Sequence, residues 1–301
     1  MRISLFGVCA VVLTITNPCF AQLRYSSGQN VAPVFEGWDR NPDGSFTMVF
    51  GYMNRNYEEE VEIPIGPNNK MEPGKADQNQ PTHFYPRRQE FVFKIKVPAD
   101  WGDKDLVWTL TSRGKTEKAY GSLLPIWELG NLVYLENRRG SGALTYPEEP
   151  NRPPSIEMVG STRRTVAASE PLTLSVDVSD DGHPKPILRA QRPPRDVSAS
   201  VGSRPRPQSP VTQAVVKLDP GVRLGVTWVV YRGGPGTVTF DPMRVPVVSG
   251  RSEEGPLAGR ATTKVTFSEP GTYVLRAYAD DGVFAVPMDV TVLVQGGAPR
   301  K

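Results

Sequence analysis

Apolar and polar residues alternate along most of this chain with a period of two. Leu172, Leu174, Val176 and Val178 take every second position, with Thr173, Ser175 and Asp177 between them. Successive side chains of an extended strand point to opposite faces, so this spacing makes one face apolar and the other polar. A helix would scatter the same residues round its circumference. The pattern recurs at Leu224, Val226, Trp228 and Val230, at Tyr273, Leu275, Ala277 and Ala279, and at Met288, Val290, Val292 and Val294. Ser155–Met158, Thr237–Phe240 and Ala261–Phe267 complete seven expected strands after residue 154. Earlier in the chain, Val31–Phe35, Ser45–Tyr52, Glu59–Ile65, Glu90–Val97, Asp105–Thr111 and Lys115–Leu123 read as strands separated by turn clusters such as Asn41-Pro-Asp-Gly44. In one of them Phe91, Phe93, Ile95 and Val97 share a face opposite Lys94 and Lys96. Two-faced ribbons of this kind hide their apolar side only against another sheet, which predicts an all-β protein.

Composition agrees with that class. The 30 prolines and 28 glycines suit many short strands joined by turns and argue against long helices. The sharpest break is Tyr146-Pro-Glu-Glu-Pro-Asn-Arg-Pro-Pro154, where clustered prolines remove backbone donors and hold the chain extended. It is read as a linker, residues 146–154, between an N-terminal β-sandwich module at 22–145 and a second sandwich at 155–295. A six-residue tail, 296–301, follows. Within the second module, residues 184–212 are rich in Pro, Arg and Ser with few large apolar side chains, which predicts a disordered basic insertion.

The first residues set the expected compartment. Arg2 precedes an apolar stretch from Leu5 to Ile15, and Cys19-Phe20-Ala21 places small residues where a signal peptidase cuts. A signal peptide, residues 1–21, is therefore expected to be removed after Ala21, leaving a secreted or periplasmic protein. Neither Cys9 nor Cys19 has the small-residue context of a lipid-modified cysteine. Both lie inside the leader, so the mature chain has no thiol for a disulfide or a metal thiolate. No later apolar run is long enough to span a bilayer. The 35 lysines and arginines, less Arg2, stand against 32 acidic residues, a balance too even to argue for nucleic acid.

The run Phe267-Ser-Glu-Pro-Gly-Thr-Tyr-Val-Leu-Arg-Ala-Tyr-Ala-Asp-Asp-Gly282 is similar to the late strands of PKD-like and related immunoglobulin-like repeats of extracellular bacterial proteins. Pro153-Pro154, Val178-Ser-Asp-Asp-Gly182 and Trp228 with Gly234-Pro-Gly236 agree with it, so the resemblance covers residues 153 to 295. The basic insertion departs from that pattern. The resemblance implies an immunoglobulin-like second module, and with the β-rich first half the expected architecture is all-β, two immunoglobulin-like β-sandwich domains in tandem after a signal peptide. Tyr273 then stands two residues before Leu275, where antibody-type domains place a core cysteine, and is expected to make a tyrosine corner with Trp228 as core. In the first half, Gly51-Tyr-Met-Asn54, Ile63-Pro-Ile-Gly-Pro-Asn-Asn69, Gln80-Pro-Thr-His-Phe-Tyr-Pro86 and Leu106-Val-Trp-Thr-Leu110 resemble a β-rich module of exported bacterial proteins with no assigned activity.

Three candidate chemistries follow. Asp177, Asp180 and Asp181 end one strand and Asp280 and Asp281 another; at one end of a sandwich these carboxylates would suit Ca²⁺, which takes six to eight oxygens. The alternative is that each Asp-Asp-Gly makes a turn, Asp accepting local amides and Gly supplying positive φ. Trp38 and Trp101 lie beside turns and, if exposed together, would form a stacking platform for sugars; packing is the competing reading. His83 and His183 sit in different modules, and no nucleophile elbow, zinc spacing or phosphate loop occurs, so no catalytic residue and no organic cofactor are assigned. Glu58, Glu59 and Glu60 read as a charged strand start. The expected function is that of an exported, non-enzymatic structural or binding protein with a protein or polysaccharide partner at the cell envelope. The alternatives are a carbohydrate-binding accessory protein and, more remotely, an enzyme of unrecognised type.

Overall fold

The computed structural model describes residues 24–130, 133–134, 151–168, 170–183, 214–219, 221–250 and 255–296. The expected signal peptide, the insertion at 184–212, the first half of the linker and nearly all of the tail lie outside the described residues. Among those described, no helix is long and apolar enough to cross a membrane.

The first half builds eight strands: β1 (Val31–Arg40), β2 (Phe46–Asn54), β3 (Val61–Glu62), β4 (Asn69–Glu72), β5 (His83–Phe84), β6 (Arg87–Val97), β7 (Leu106–Ser112) and β8 (Lys115–Gly121), followed by a 3₁₀ turn at Pro125–Trp127. They pair as β1-β2-β6, β4-β7-β8 and the small β3-β5 ribbon. Alternation drives their packing. Phe50, Phe84 and Phe93 close around Trp108, which is fully buried, with ring centroids 6.2, 6.2 and 4.8 Å away. Its indole Nε1 donates to Asn69 Oδ1 at 3.0 Å, satisfying the one polar atom the ring brings into the core.

The second half builds nine: β9 (Ser155–Met158), β10 (Arg163–Ala167), β11 (Leu172–Asp180), β12 (Val222–Arg232), β13 (Val238–Asp241), β14 (Arg244–Ser249), β15 (Leu257–Phe267), β16 (Gly271–Asp280) and β17 (Ala285–Gln295). One sheet runs β9-β11-β15-β13, the other β10-β17-β16-β12-β14. This is an immunoglobulin-like sandwich. All ladders are antiparallel except β10 with β17, which is parallel. Leu174, Val176, Leu224, Trp228, Leu275, Val290 and Val292, every one expected on an inner face, share its core. Tyr273 makes the corner: it is fully buried, its hydroxyl donates to the Glu269 carbonyl at 2.9 Å, and it accepts from the Gly236 amide at 3.3 Å.

Four short strands, β4, β5, β10 and β14, escape the period-two reading because two to six residues carry too little alternation. One long strand departs from its expected face. Phe91 takes φ +52°, next to a register shift between Phe50 and Tyr52, and leaves the face of Phe93, Ile95 and Val97 to pack against Tyr134, the ring centroids 4.8 Å apart and the rings tilted by 44°. The shift sets one residue of β2 opposite three of β6, an irregularity that re-aims a side chain.

Candidate functional site at the junction of the two halves

The two halves are not beads on a string. Strand β12 is buried from Arg223 to Tyr231 without alternation, so both of its faces are covered. Its inner face meets the sandwich core; its outer face is covered by Leu218 and the Gly182 carbonyl near Gly225 and Arg223, and by the first half from Val229 to Tyr231. Tyr231, next after the inward Val230, points outward with Val229, beside a one-residue register slip against β16. There it becomes part of the aromatic core of the first half, 2 % exposed, with Val274 beside it.

The segment from Asp77 to Gln89 lies along that face. The Val230 amide donates to Tyr85 Oη at 2.9 Å, while the Tyr85 amide donates to Tyr52 Oη at 2.8 Å. The Thr82 amide donates to the Tyr231 carbonyl at 3.1 Å, and the Tyr231 hydroxyl to the Asn79 carbonyl. Arg232 forks onto Asp77 at 2.7 and 3.0 Å. Burial pushes the Tyr85 and Tyr231 phenols well above their usual range, so both remain neutral donors and acceptors. At the centre is Arg276 on β16, whose side chain is 3 % exposed. It pairs with Asp289 at 2.6 and 2.8 Å and donates to the Val92 carbonyl of β6 at 3.0 Å. Tyr278 Oη donates to the same carbonyl at 3.0 Å.

His83 borders this junction. Its Nδ1 bonds Glu62 Oε1, its Nε2 lies 3.0 Å from Glu60 Oε2, and its ring meets Tyr85 edge-on at 4.6 Å. Burial opposes its charge, but the hydrogen bonds and attraction of Glu60 and Glu62 prevail and raise its pKa to about 9. The same glutamates open on their other side into a cleft of about 350 Å³, lined by Glu59, Glu60, Glu62, Asn68, Thr111 and Arg113 among others. Glu59 is tied to Arg113 there. The acidic run that the sequence marked as a strand start thus supplies both a histidine clamp and a cleft wall.

The two tryptophans do not make a platform. Trp38 is 2 % exposed, because β1 continues through a bulge at Gly37 to Arg40 rather than ending at Phe35. That places its ring in the core, edge-on to Phe46, with Nε1 donating to the Leu124 carbonyl at 3.0 Å. Trp101 is half-buried against the same core, and its Nε1 donates to the Lys104 carbonyl at 2.6 Å. The tryptophan that is exposed is instead Trp127, next to the exposed Ile126 on the 3₁₀ turn and close to the exposed Leu124 before it, at the end of an apolar run that shows no alternation.

Of the five aspartates, four come to one end of the second sandwich. Asp180 accepts from the Gly182 amide at 2.8 Å and Asp280 from the Gly282 amide at 2.7 Å; both glycines have positive φ, as the turn reading requires. Asp181 accepts from the His183 and Arg152 amides, and Asp281 from the amides of Val283 and Phe284 and from Asn151 Nδ2. Asp177 does not join them. Three residues before Asp180, it falls on the opposite face of β11 and forks onto its cross-strand partner Arg260 at 2.7 and 2.8 Å. Among the described residues no group of three acidic, histidine or cysteine side chains is arranged to hold a metal ion. Burial raises the pKa of Asp180, and that of Asp281 to about 6.

The residues that matter most at the junction, Arg276, Tyr231 and Tyr85, were not marked by the sequence reading. A signal for them existed: Val229 and Tyr231 in β12, and Val274 and Tyr278 in β16, put large apolar or aromatic residues on the faces opposite the core set.

No protein-family model matches the chain, and no curated protein does. Solved structures similar to it include the N-terminal eight immunoglobulin domains of Down syndrome cell adhesion molecule, at 9 % identity over 89 % of this chain with a TM-score of 0.23; the chain spans 27 % of that one. The D00–D0 domain of intimin is similar at 9 % identity over 88 % of this chain and 100 % of its own, with a TM-score of 0.24. Domains 4 and 5 of the S-layer protein SbsC are similar at 11 % identity over 88 % of this chain and 98 % of theirs, with a TM-score of 0.21.

Proposed function

We propose that this chain is an exported, non-enzymatic structural or binding protein that presents two fused β-sandwich modules to a protein partner at the cell envelope. The observation that carries the reading is the junction itself. Its polar side chains, from Arg276 to Tyr85, are committed to holding one module against the other. Fixing two modules in one orientation serves a protein that transmits position or presents a shaped surface, since a preorganised surface loses less freedom on binding. The test uses the purified mature chain on intact envelopes of the exporting cell. Retention that survives glycan digestion and is lost after protease shaving supports a protein partner; retention that follows the glycan supports the polysaccharide alternative. Turnover of a substrate in a hydrolase screen, abolished by His83→Ala, overturns the reading.

A second reading, a bound Ca²⁺ at the acidic end of the second module, is favoured by one observation. Asp180 Oδ1 and Asn151 Oδ1 are both buried with no hydrogen-bond partner, and oxygens of that kind suit a hard cation. Calcium that binds only the folded state raises the melting temperature. A titration to millimolar calcium that leaves the melting curve unmoved removes the reading.

A further inference from the structure

β6 is the last strand of the β1-β2-β6 sheet, and among the described residues no strand pairs with its other side. Which of its backbone groups face that side follows from the hairpin that starts the sheet. The Asn41 amide donates to the Ser45 carbonyl at 2.9 Å, which sets the phase of the ladder between β1 and β2. Bonded pairs recur at every second position of an antiparallel ladder, so Asp39 with Thr47 and Gly37 with Val49 are the next ones. The Trp38 carbonyl points the other way and accepts the Leu129 amide at 2.8 Å, as that phase requires. On β2 this leaves Phe46, Met48 and Phe50 to bond β6 through Val97, Ile95 and Phe93. Lys94 and Lys96 therefore turn their N–H and C=O groups away from the sheet, to the side on which the Val92 carbonyl receives Arg276 and Tyr278. Among the described residues nothing bonds the backbone of either lysine. Their side chains are exposed, whereas Phe93, Ile95 and Val97 are buried. The second module takes the edge at Val92, and Pro98, which has no amide proton, follows Val97.

We propose that the open edge of β6 at Lys94 and Lys96 is where a protein partner adds an extended strand, and that this strand carries an acidic, an apolar and an acidic residue in succession. The inference rests on the protein-partner reading above and names the contact. An antiparallel strand laid there bonds the four backbone groups of Lys94 and Lys96 and sets the residues opposite them on the same outer face, where two carboxylates meet two ammoniums. The residue between them falls on the inner face beside Ile95, which calls for an apolar side chain. Backbone bonds supply the attachment and the side chains supply the choice. A second copy of this chain does not fit: pairing β6 with its own copy about Ile95 sets Lys94 opposite Lys96 twice, and like charges directly opposite repel. Lysines on an edge also keep it from pairing indiscriminately, so the requirement for acid acts as a filter. Lys96 is paired with Asp43 at 2.6 Å, their side chains 62 % and 58 % exposed, and Lys94 Nζ lies 5.4 Å from the centroid of the Tyr134 ring. A surface pair of that exposure is weakly held, and a carboxylate on a neighbouring strand can share the lysine.

The experiment uses the full mature chain and two blocked synthetic peptides, one alternating valine with glutamate and the other valine with lysine. Amide exchange at Lys94 and Lys96 is followed by NMR as peptide is added. The glutamate peptide is expected to slow exchange severalfold at both amides, and the lysine peptide to leave them unchanged. The double variant Lys94→Glu/Lys96→Glu, altered only at exposed positions, should bind the glutamate peptide about tenfold more weakly and accept the lysine peptide instead. Unchanged exchange with the glutamate peptide, equal protection by both peptides, or protection that grows with protein concentration alone overturns the proposal. If the variant does not fold, the two peptides on the wild-type chain decide. On intact envelopes, retention that the glutamate peptide competes away supports the edge as the contact, and retention that it leaves untouched overturns it. Absence of retention with peptide pairing intact counts against the envelope partner and not against the strand edge.

Discussion

The guanidinium of Arg276 sits 3.3 Å from the centroid of the Tyr231 ring, and the pair joins neighbouring strands of the second module to the first through the Val92 carbonyl. A cation on an aromatic face gains most when water is excluded, as it is here. Removing it also strips Asp289 of its partner, although that carboxylate is partly exposed and can recover solvation. Arg276→Ala is expected to lower unfolding stability by about 2–4 kcal/mol, read from the midpoint of urea denaturation. Arg276→Lys should recover little, because an ammonium cannot fork onto Asp289 and cover the ring together.

The first module should not fold cooperatively without the second. Tyr231 belongs to its core, and the β3-β5 ribbon takes its outer bonds from β12 through Thr82 and Tyr85. Residues 22–145 made alone are expected to bind a hydrophobic dye and to show poorly dispersed amide resonances. Residues 151–301 made alone should retain a sandwich but tend to associate through the uncovered face of Val229, Tyr231 and Tyr278. Sharp dispersed spectra from the isolated first module would show that the junction is dispensable.

His83 predicts a loss of stability on the alkaline side. Its folded pKa of about 9 stands above the ordinary 6.5, so its contribution is fully present below about pH 6.5 and disappears as pH rises through 9. Melting temperatures measured from pH 6 to 10 should fall across that window, and His83→Gln should flatten the fall while lowering stability at pH 6.

The tyrosine corner offers a test confined to the second module. Tyr273→Phe removes the hydroxyl that links Glu269 and Gly236 and leaves the ring in place. The expected cost is about 1–2 kcal/mol, the range for losing a buried hydrogen-bonding group without making a cavity. Equilibrium denaturation of the full chain measures it.

Much of the second sandwich was legible in the sequence, because alternation over seven or more residues allows only one face to be inward. Leu172 to Val178 and Met288 to Val294 are of this kind. Where a strand is covered on both sides, the pattern still marks the inner face but says nothing of what covers the outer one, which is why Val229, Tyr231 and Tyr278 did not stand out although they build the junction. The acidic turns were legible as turns, since Asp-Asp-Gly carries its own acceptor and its own positive-φ residue. Asp177 was misplaced among them because nearness in sequence hid the change of face. Trp38 was misplaced because a bulge at Gly37 let β1 run past the point where its pattern breaks. Arg276 carries no mark in the sequence, since an arginine in an apolar strand reads no differently from one facing solvent until another part of the protein lies over it.

The double covering of β12 means that the second module is no portable cassette. Transplanted into another host chain, it would carry a greasy flank, and an Arg276 and a Tyr278 that have both lost the Val92 carbonyl. Swapping, duplicating or reordering the halves of this protein would therefore demand that both surfaces of the seam change together.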